Sequence, residues 1–343
     1  MRGLSLPDRM LRPESLMRAG GGAQGVVHFE AIEPLRLLLE DCRRHARLNL
    51  AGCFAARFDT LRLIRNVNGM LEREAREPAV LTQPIERPIF ITGLPRSGTT
   101  FLHKLLAEDP ENRSPAVWET ILPLPRHRWD SPARRMATVR RQLAAFERMA
   151  PNFRAVHPLD ATSPQECTEI KAHVFRSFRF ESTYNTPAYR LWLREADRVP
   201  AYRFHRRFLQ HLQHSDGRPR RWVLKSPDHV FTLEALSQVY PDARLIVLHR
   251  DPVEVLASVA GLTAILREPF TARLDRVALG RQVADDWVVG AEAIRLAHAA
   301  RLFPEERIAH LHFADLTQAP LAAVSSIYAR FGLTLTDEVR AAM

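Results

Sequence analysis

Lysine is almost missing from this chain. It occurs three times in 343 residues, at Lys104, Lys171 and Lys225, and arginine supplies nearly all the positive charge behind a net +10. The arginines are scattered rather than gathered into one run, which argues against a nucleic-acid surface and leaves an anionic ligand as the better fit to the charge. Cysteine is as scarce. Cys42, Cys53 and Cys167 are odd in number and far apart, with no C-x-x-C or metal-ligand spacing, so reduced thiols in a cytoplasmic setting are expected. No uninterrupted apolar run approaches the ~20 residues of a membrane span. The N-terminus has no continuous apolar core of the kind a secretory signal carries. No internal repeat is evident. With 46% hydrophobic residues, the chain can bury the core of one large α/β domain with additions.

What is present is a strand, a tight loop and a helix start within residues 88–106. Ile89-Phe90-Ile91-Thr92 is a short apolar run. Gly93, Pro95 and Gly98 then break regular structure, and Phe101, Leu102, Leu105 and Leu106 follow at helical spacing. A glycine loop that opens a helix aims several backbone N–H groups at one point, beside the positive end of the helix dipole. An anion is the natural occupant. The spacing is that of the phosphate-binding loop G-x-x-x-x-G-K-[ST], with one change. Thr99 stands where that loop carries the lysine for β- and γ-phosphates, and a cation sits earlier, at Arg96. Such a loop can cradle a phosphate but is poorly equipped for ATP or GTP chemistry, so a P-loop kinase or NTPase is the lesser alternative.

Around this stretch the chain divides as follows. Residues 1–27, with Pro7, Pro13 and Gly20-Gly21-Gly22, read as a loose leader. Residues 28–84 form a helical preface, and residues 85–343 form a P-loop-type α/β domain. Within that domain, residues 131–215 are a helical insertion rich in arginine and aromatics, most of them core, on the acceptor side. Strand character returns at 222–225, 243–248 and 307–313, with helices at 277–302 and 321–331 and one after Pro252. Asp228 is placed to cap a helix running to Tyr240. Strands alternating with helices imply a mainly parallel sheet flanked by helices.

A second anion site follows the 243–248 strand. Arg250 lies directly after it, and Ser258 lies on the second turn of the next helix. Both can meet one anionic group at the carboxyl end of a strand, where open α/β sheets place ligands. His249-Arg250-Asp251 is not a kinase catalytic loop. Leu256 stands where that loop has asparagine, and no D-F-G occurs.

Taken together, Pro95-Arg96-Ser97-Gly98-Thr99-Thr100, Leu224-Lys225-x-Pro227 and Leu248-x-Arg250-x-Pro252 with Ser258 resemble the sulfotransferases. The likeness runs in order from about residue 88 to 331. It is nearer the P-R-S-G-T-T branch of protein-tyrosine, carbohydrate and bacterial enzymes than the P-K-S-G-T-T cytosolic branch. The resemblance implies transfer of a sulfuryl group from 3′-phosphoadenosine 5′-phosphosulfate (PAPS) to a hydroxyl or amine, releasing PAP, with no metal. It assigns the donor's 5′-phosphosulfate to Arg96, Ser97, Gly98, Thr99 and Thr100, and the 3′-phosphate to Arg250 and Ser258. Arg96 and Lys225 are then the groups expected to stabilise charge on the moving sulfuryl and the departing phosphate. The missing P-loop lysine fits a donor without a β,γ-phosphate pair.

The acceptor needs a base. Glu119, 23 residues after Arg96, is the candidate, because Glu119-Thr120-Ile121-Leu122-Pro123 resembles the glutamate segment of the tyrosylprotein branch. Trp118 beside it could strip water from the carboxylate and make it a better base. His157 is the runner-up, with Glu166 and Glu169 behind it. A lipid, glycan or other small molecule is the expected acceptor. Related bacterial enzymes close over the nucleotide with a basic, glycine-containing C-terminal segment. Residues 337–343 contain none, so either the sequence is truncated or residues 267–276 do the closing, and a PAP-binding protein without turnover is the second reading.

Overall fold

The computed structural model describes residues 5–21 and 29–343. Its centre is a five-stranded sheet in the order β2-β3-β1-β4-β5, parallel at every pairing. The strands are β1 (Ile89–Gly93), β2 (Asn112–Arg113), β3 (Arg221–Lys225), β4 (Arg244–His249) and β5 (Ile308–His312). All five β1 residues are buried, as a central parallel strand covered by helices on both faces requires. Because every pairing is parallel, each connection is a crossover that carries helices, and the strands' carboxyl ends share one edge.

The expected leader is not loose where it is described. Helices α1 (Leu6–Met10) and α2 (Pro13–Gly20) pack on the long helix α4 (Leu50–Arg76), and Leu11 and Leu16 are fully buried. Prolines at the helix starts mask this in the sequence, although Pro at the first turn favours a helix. Gly22 and the rest of 22–28 lie outside the described residues. The preface is helical as expected, with α3 (Phe29–Arg44) joined to α4.

Helix α5 (Thr99–Ala107) follows β1, and the short α6 (Val117–Ile121) follows β2. The insertion supplies α7 (Pro132–Met149), α8 (Phe153–Val156), α9 (Cys167–Ala172), α10 (Arg179–Thr183), α11 (Pro187–Glu195) and α12 (Val199–Asp216). Its aromatics are mainly core: Phe204, Phe208 and Tyr202 join Phe90 and Leu224 in one cluster, and Phe175, Phe180 and Tyr189 join Leu35 and Leu63 in another. After β3 the chain makes a 3-10 turn, Pro227–Thr232, before α13 (Leu233–Val239). Asp228 therefore does not cap a helix, because its carboxylate is taken by the Lys171 ammonium. Helix α14 (Pro252–Arg267) starts under an Asp251 cap, and α15 (Arg276–Ala299), α16 (Phe313–Gln318), α17 (Pro320–Arg330) and α18 (Asp337–Ala342) complete the fold.

Candidate active site

The site begins where β1 runs out. Gly93 has φ 137°, and a Cβ there would lie 2.3 Å from the Leu248 carbonyl oxygen of neighbouring β4. Only glycine lets the chain leave the sheet so close to its neighbour. Arg96 and Gly98 are also left-handed, at φ 63° and 89°. That path turns the loop back over the start of α5. Gly98 caps α5 without a side chain, so the first N–H groups of the helix have no side-chain acceptor and can serve an anion.

Three strand ends converge here. Arg96 donates to the Ser258 hydroxyl of α14 at 3.1 Å and to the Val156 carbonyl at 2.9 Å. Arg250, at the end of β4, donates to the Arg96 carbonyl at 2.7 Å, and its guanidinium lies 4.2 Å from the Phe313 ring centre, just past β5. Arg250 also pairs with Glu254 one helical turn on. Lys225, at the end of β3, is buried. Its ammonium donates to the Thr100 hydroxyl at 3.1 Å and to the Glu166 carboxylate. Ser97 is buried beneath the loop, its hydroxyl spent on the Leu94 carbonyl at 2.6 Å. The residues expected at the two anion sites are thus brought together: Arg96, Gly98, Thr99, Thr100 and Arg250 line one cavity of about 660 Å³, with Lys225, Ser97 and Ser258 directly behind them.

From this polar end the cavity continues between the insertion and α14 and α15. Its walls there include the apolar Phe178, Val259, Leu262, Leu266, Val283 and Trp287, with the polar Glu181, Arg267, Gln282 and Asp286 among them. His157 and Glu166 also line the cavity. Burial lowers the His157 pKa, and the cations Lys225, Arg96 and Lys104 add to this against the pull of Glu166, so the imidazole is neutral at pH 7. Burial pushes the Glu166 carboxyl up, but Lys225 and then His157 outweigh it and hold it below the usual range.

Glu119 lies elsewhere. It grips Arg113 at both carboxylate oxygens, 2.7 and 3.0 Å, and accepts the Ala116 N–H at the start of α6 at 2.8 Å. It is not among the cavity-lining residues. A carboxylate saturated by a guanidinium fork and a helix-start N–H holds local structure rather than awaiting a proton. Glu169 lines the cavity but is held by Arg62 and Arg179 at 2.6 and 3.2 Å. Of the expected closing element 267–276, Arg267 lines the cavity and residues 268–276 do not. They are tied to the loop before α4 by Asn49 donating to the Pro269 carbonyl at 3.0 Å and by the Leu48–Thr271 bridge, so the alternative closing element is engaged away from the glycine loop.

The sequence reading missed Lys104, Asp228 and Glu181, all on the cavity wall, and Lys171 behind Asp228. A signal existed for the lysines, because they are the exceptions in an arginine-rich chain. None existed for Glu181, whose setting depends on Thr186 and Gln282 reaching it from other elements.

The fold and site define a parallel α/β protein with an anion cradle at the carboxyl edge of its sheet, opening into a cavity lined in part by apolar side chains. The chain belongs to the sulfotransferase family, whose sequence model matches residues 88–337. It is 25% identical over 315 residues to the omega-hydroxy-beta-dihydromenaquinone-9 sulfotransferase Stf3 of Mycobacterium bovis, covering 87% of this chain and 76% of that protein. The crystal structure of sulfotransferase STF1 from Mycobacterium tuberculosis superposes with a TM-score of 0.84 at 29% identity, over 96% of this chain and 93% of that one. STF9 from Mycobacterium avium gives 0.83 at 26% identity, over 98% and 87%.

Proposed function

We propose that this enzyme moves a sulfuryl group from PAPS to the hydroxyl of an apolar, lipid-like acceptor. The observation that carries the reading is one continuous cavity that starts at the glycine loop and Arg250 and runs on past the apolar side chains Val259, Leu262, Leu266 and Trp287. A nucleotide with two separated anionic groups suits the first part, and a long apolar acceptor suits the second. The name of Stf3, which specifies a hydroxylated menaquinone as its acceptor, supports the same class.

In this mechanism the α5 N–H groups, Thr99 and Thr100 hold the phosphosulfate. Arg250 and Ser258 hold the 3′-phosphate. The acceptor oxygen forms a bond to sulfur as the sulfur–oxygen bond to PAP breaks. His157, neutral and facing the cavity, takes the hydroxyl proton in place of Glu119. Lys225, steered by Glu166, and the Arg96 guanidinium stabilise charge as it builds on the transferred group and the leaving phosphate.

Titration calorimetry with PAP is the test. Full-length protein is expected to bind PAP, and Arg250→Ala to bind at least about tenfold more weakly, since a charge-assisted contact is removed. Incubation with PAPS and an ω-hydroxylated polyprenyl quinol is expected to give a sulfated product. Absent PAP binding, or equal binding by Arg250→Ala, overturns the donor assignment. Turnover confined to small polar acceptors overturns the lipid assignment.

A further inference from the structure

Helix α4 carries a row of large apolar side chains in water. Leu50, Phe54 and Phe58 are 60%, 57% and 57% exposed. They stand at i, i+4 and i+8, with Ala51 exposed and Leu61 half-buried beside them, so they form one continuous face. A single exposed apolar residue needs no explanation; a row of three aligned along one helix does.

Along α4 itself, the charges bordering the row that lack a partner have one sign. Arg47, just before the helix, and Arg65, on the same face further along it, are exposed and have no acidic partner among the described residues. The only acid from 47 to 70 is Asp59, and its carboxylate is fully taken by Arg62 and Arg179, each at 2.6 Å. The face is therefore apolar along its length and cationic at both ends, over about 25 Å from the rise of the helix.

We infer that this face of α4 docks on an anionic lipid bilayer. Leu50, Phe54 and Phe58 enter the boundary between headgroups and acyl chains, and Arg47 and Arg65 meet the lipid phosphates. A net charge of +10 favours the same approach. A protein partner would have to supply both a groove for the row and acids at its two ends, whereas an anionic bilayer offers both at any position. The inward side of the same helix backs the cavity, because Asp59 and Arg62 hold the lining residues Arg179 and Glu169. A docked bilayer would thus lie about one helix diameter from the cavity wall. The inference goes beyond the sulfotransfer reading and stands without it, since vesicle binding tests one and PAP binding the other.

The test is co-sedimentation of the full chain with vesicles of phosphatidylglycerol and phosphatidylcholine, and of phosphatidylcholine alone. Binding is expected to the mixed vesicles, weakening as salt rises. The double variant Phe54→Ser/Phe58→Ser is expected to lose about tenfold or more in partitioning, and Arg47→Glu/Arg65→Glu a similar factor, with unchanged PAP binding and circular dichroism as proof of folding. No binding to mixed vesicles, or binding that survives both double variants, overturns the inference. So does a dimer in sedimentation velocity that Phe54→Ser/Phe58→Ser dissolves, which would give the face to a second copy.

Discussion

Replacing Lys171 by methionine should remove much of the protein's stability, although nothing at that position touches solvent. Lys171 on α9 and Asp228 after β3 are 2% and 3% exposed, and the ammonium lies 2.7 Å from the carboxylate. The Ser226 hydroxyl donates to the other carboxylate oxygen at 2.5 Å, and the Tyr202 ring centre is 5.4 Å from the ammonium. Cys167 and Ile170 of the same helix, Leu224 of β3 and Tyr202 belong to the main core. Methionine fills nearly the same volume, so no cavity forms. What remains is a buried carboxylate with one hydroxyl donor. Breaking such a pair from one side costs about 3–5 kcal/mol, a large share of the 5–15 kcal/mol that holds a typical domain folded. Adding Asp228→Asn removes the orphaned charge while the side chain still accepts from Ser226. The double variant should regain about 2 kcal/mol or more, the coupling expected of residues in direct contact. Urea denaturation followed by far-ultraviolet circular dichroism, on wild type, both single variants and the double, measures all four corners. A loss below about 1 kcal/mol for Lys171→Met, or a double variant no more stable than that single one, would show that the pair is not the dry ion pair it looks like and would refute the reasoning.

Two further outcomes separate roles within the site. His157→Gln should lower kcat by about 10²–10⁴ with PAP binding retained, whereas Glu119→Gln should cost about 1–2 kcal/mol of stability through the Arg113 pair and leave kcat within about threefold; the opposite ranking returns the base role to Glu119. Burial, with Asp286 nearby, outweighs Thr186, Arg267 and Arg190 and pushes the Glu181 carboxyl up to about 8. The folded chain then keeps a proton that the unfolded chain has released, so this contribution to stability is complete below the unfolded carboxyl pKa and is lost as pH rises toward 8. Denaturation midpoints measured from about pH 5 to 9 should fall more steeply for wild type than for Glu181→Gln; parallel slopes would show that Glu181 is already ionised.

What could be read from the sequence was what local chemistry decides. β1, its glycine loop and α5 were legible because a buried run, two glycines and helical spacing follow one another within 18 residues, from Ile89 to Leu106. Helix α14 was legible because Asp251 and Pro252 mark its start, and with it the meeting of Arg250 and Ser258 at the loop. That Glu119 stands outside the cavity was not legible, because its spacing from Arg96 matches a family pattern while its partner does not show. Arg113 is six residues before it, on the far side of a turn, and nothing local ties the two together. Asp228 failed as a helix cap for the same reason. Its competitor, Lys171, is 57 positions away in sequence, and a buried ammonium outweighs a helix N–H. The packing of α1 and α2 on α4 also depends on tertiary contact, since helices of five and eight residues are not stable alone.

The lysines connect these observations. Arginine serves on the surface of this protein, across its ion pairs and even in its core, yet all three lysines gather at one cavity. Lys104 lines it, Lys225 holds Thr100 and Glu166 at its floor, and Lys171 holds Asp228 in its wall. The geometry explains why arginine would not serve at the two buried positions. Lys225 must place a charge between a hydroxyl and a carboxylate, and Lys171 must place one between a carboxylate and the face of a tyrosine ring. Each is a small space with partners in different directions, which three rotatable donors on a compact ammonium can meet and a flat, rigid guanidinium cannot. In a chain that otherwise replaces lysine with arginine, the positions that keep lysine are those where a point charge is structurally required, and here they border the single cavity that begins at the glycine loop.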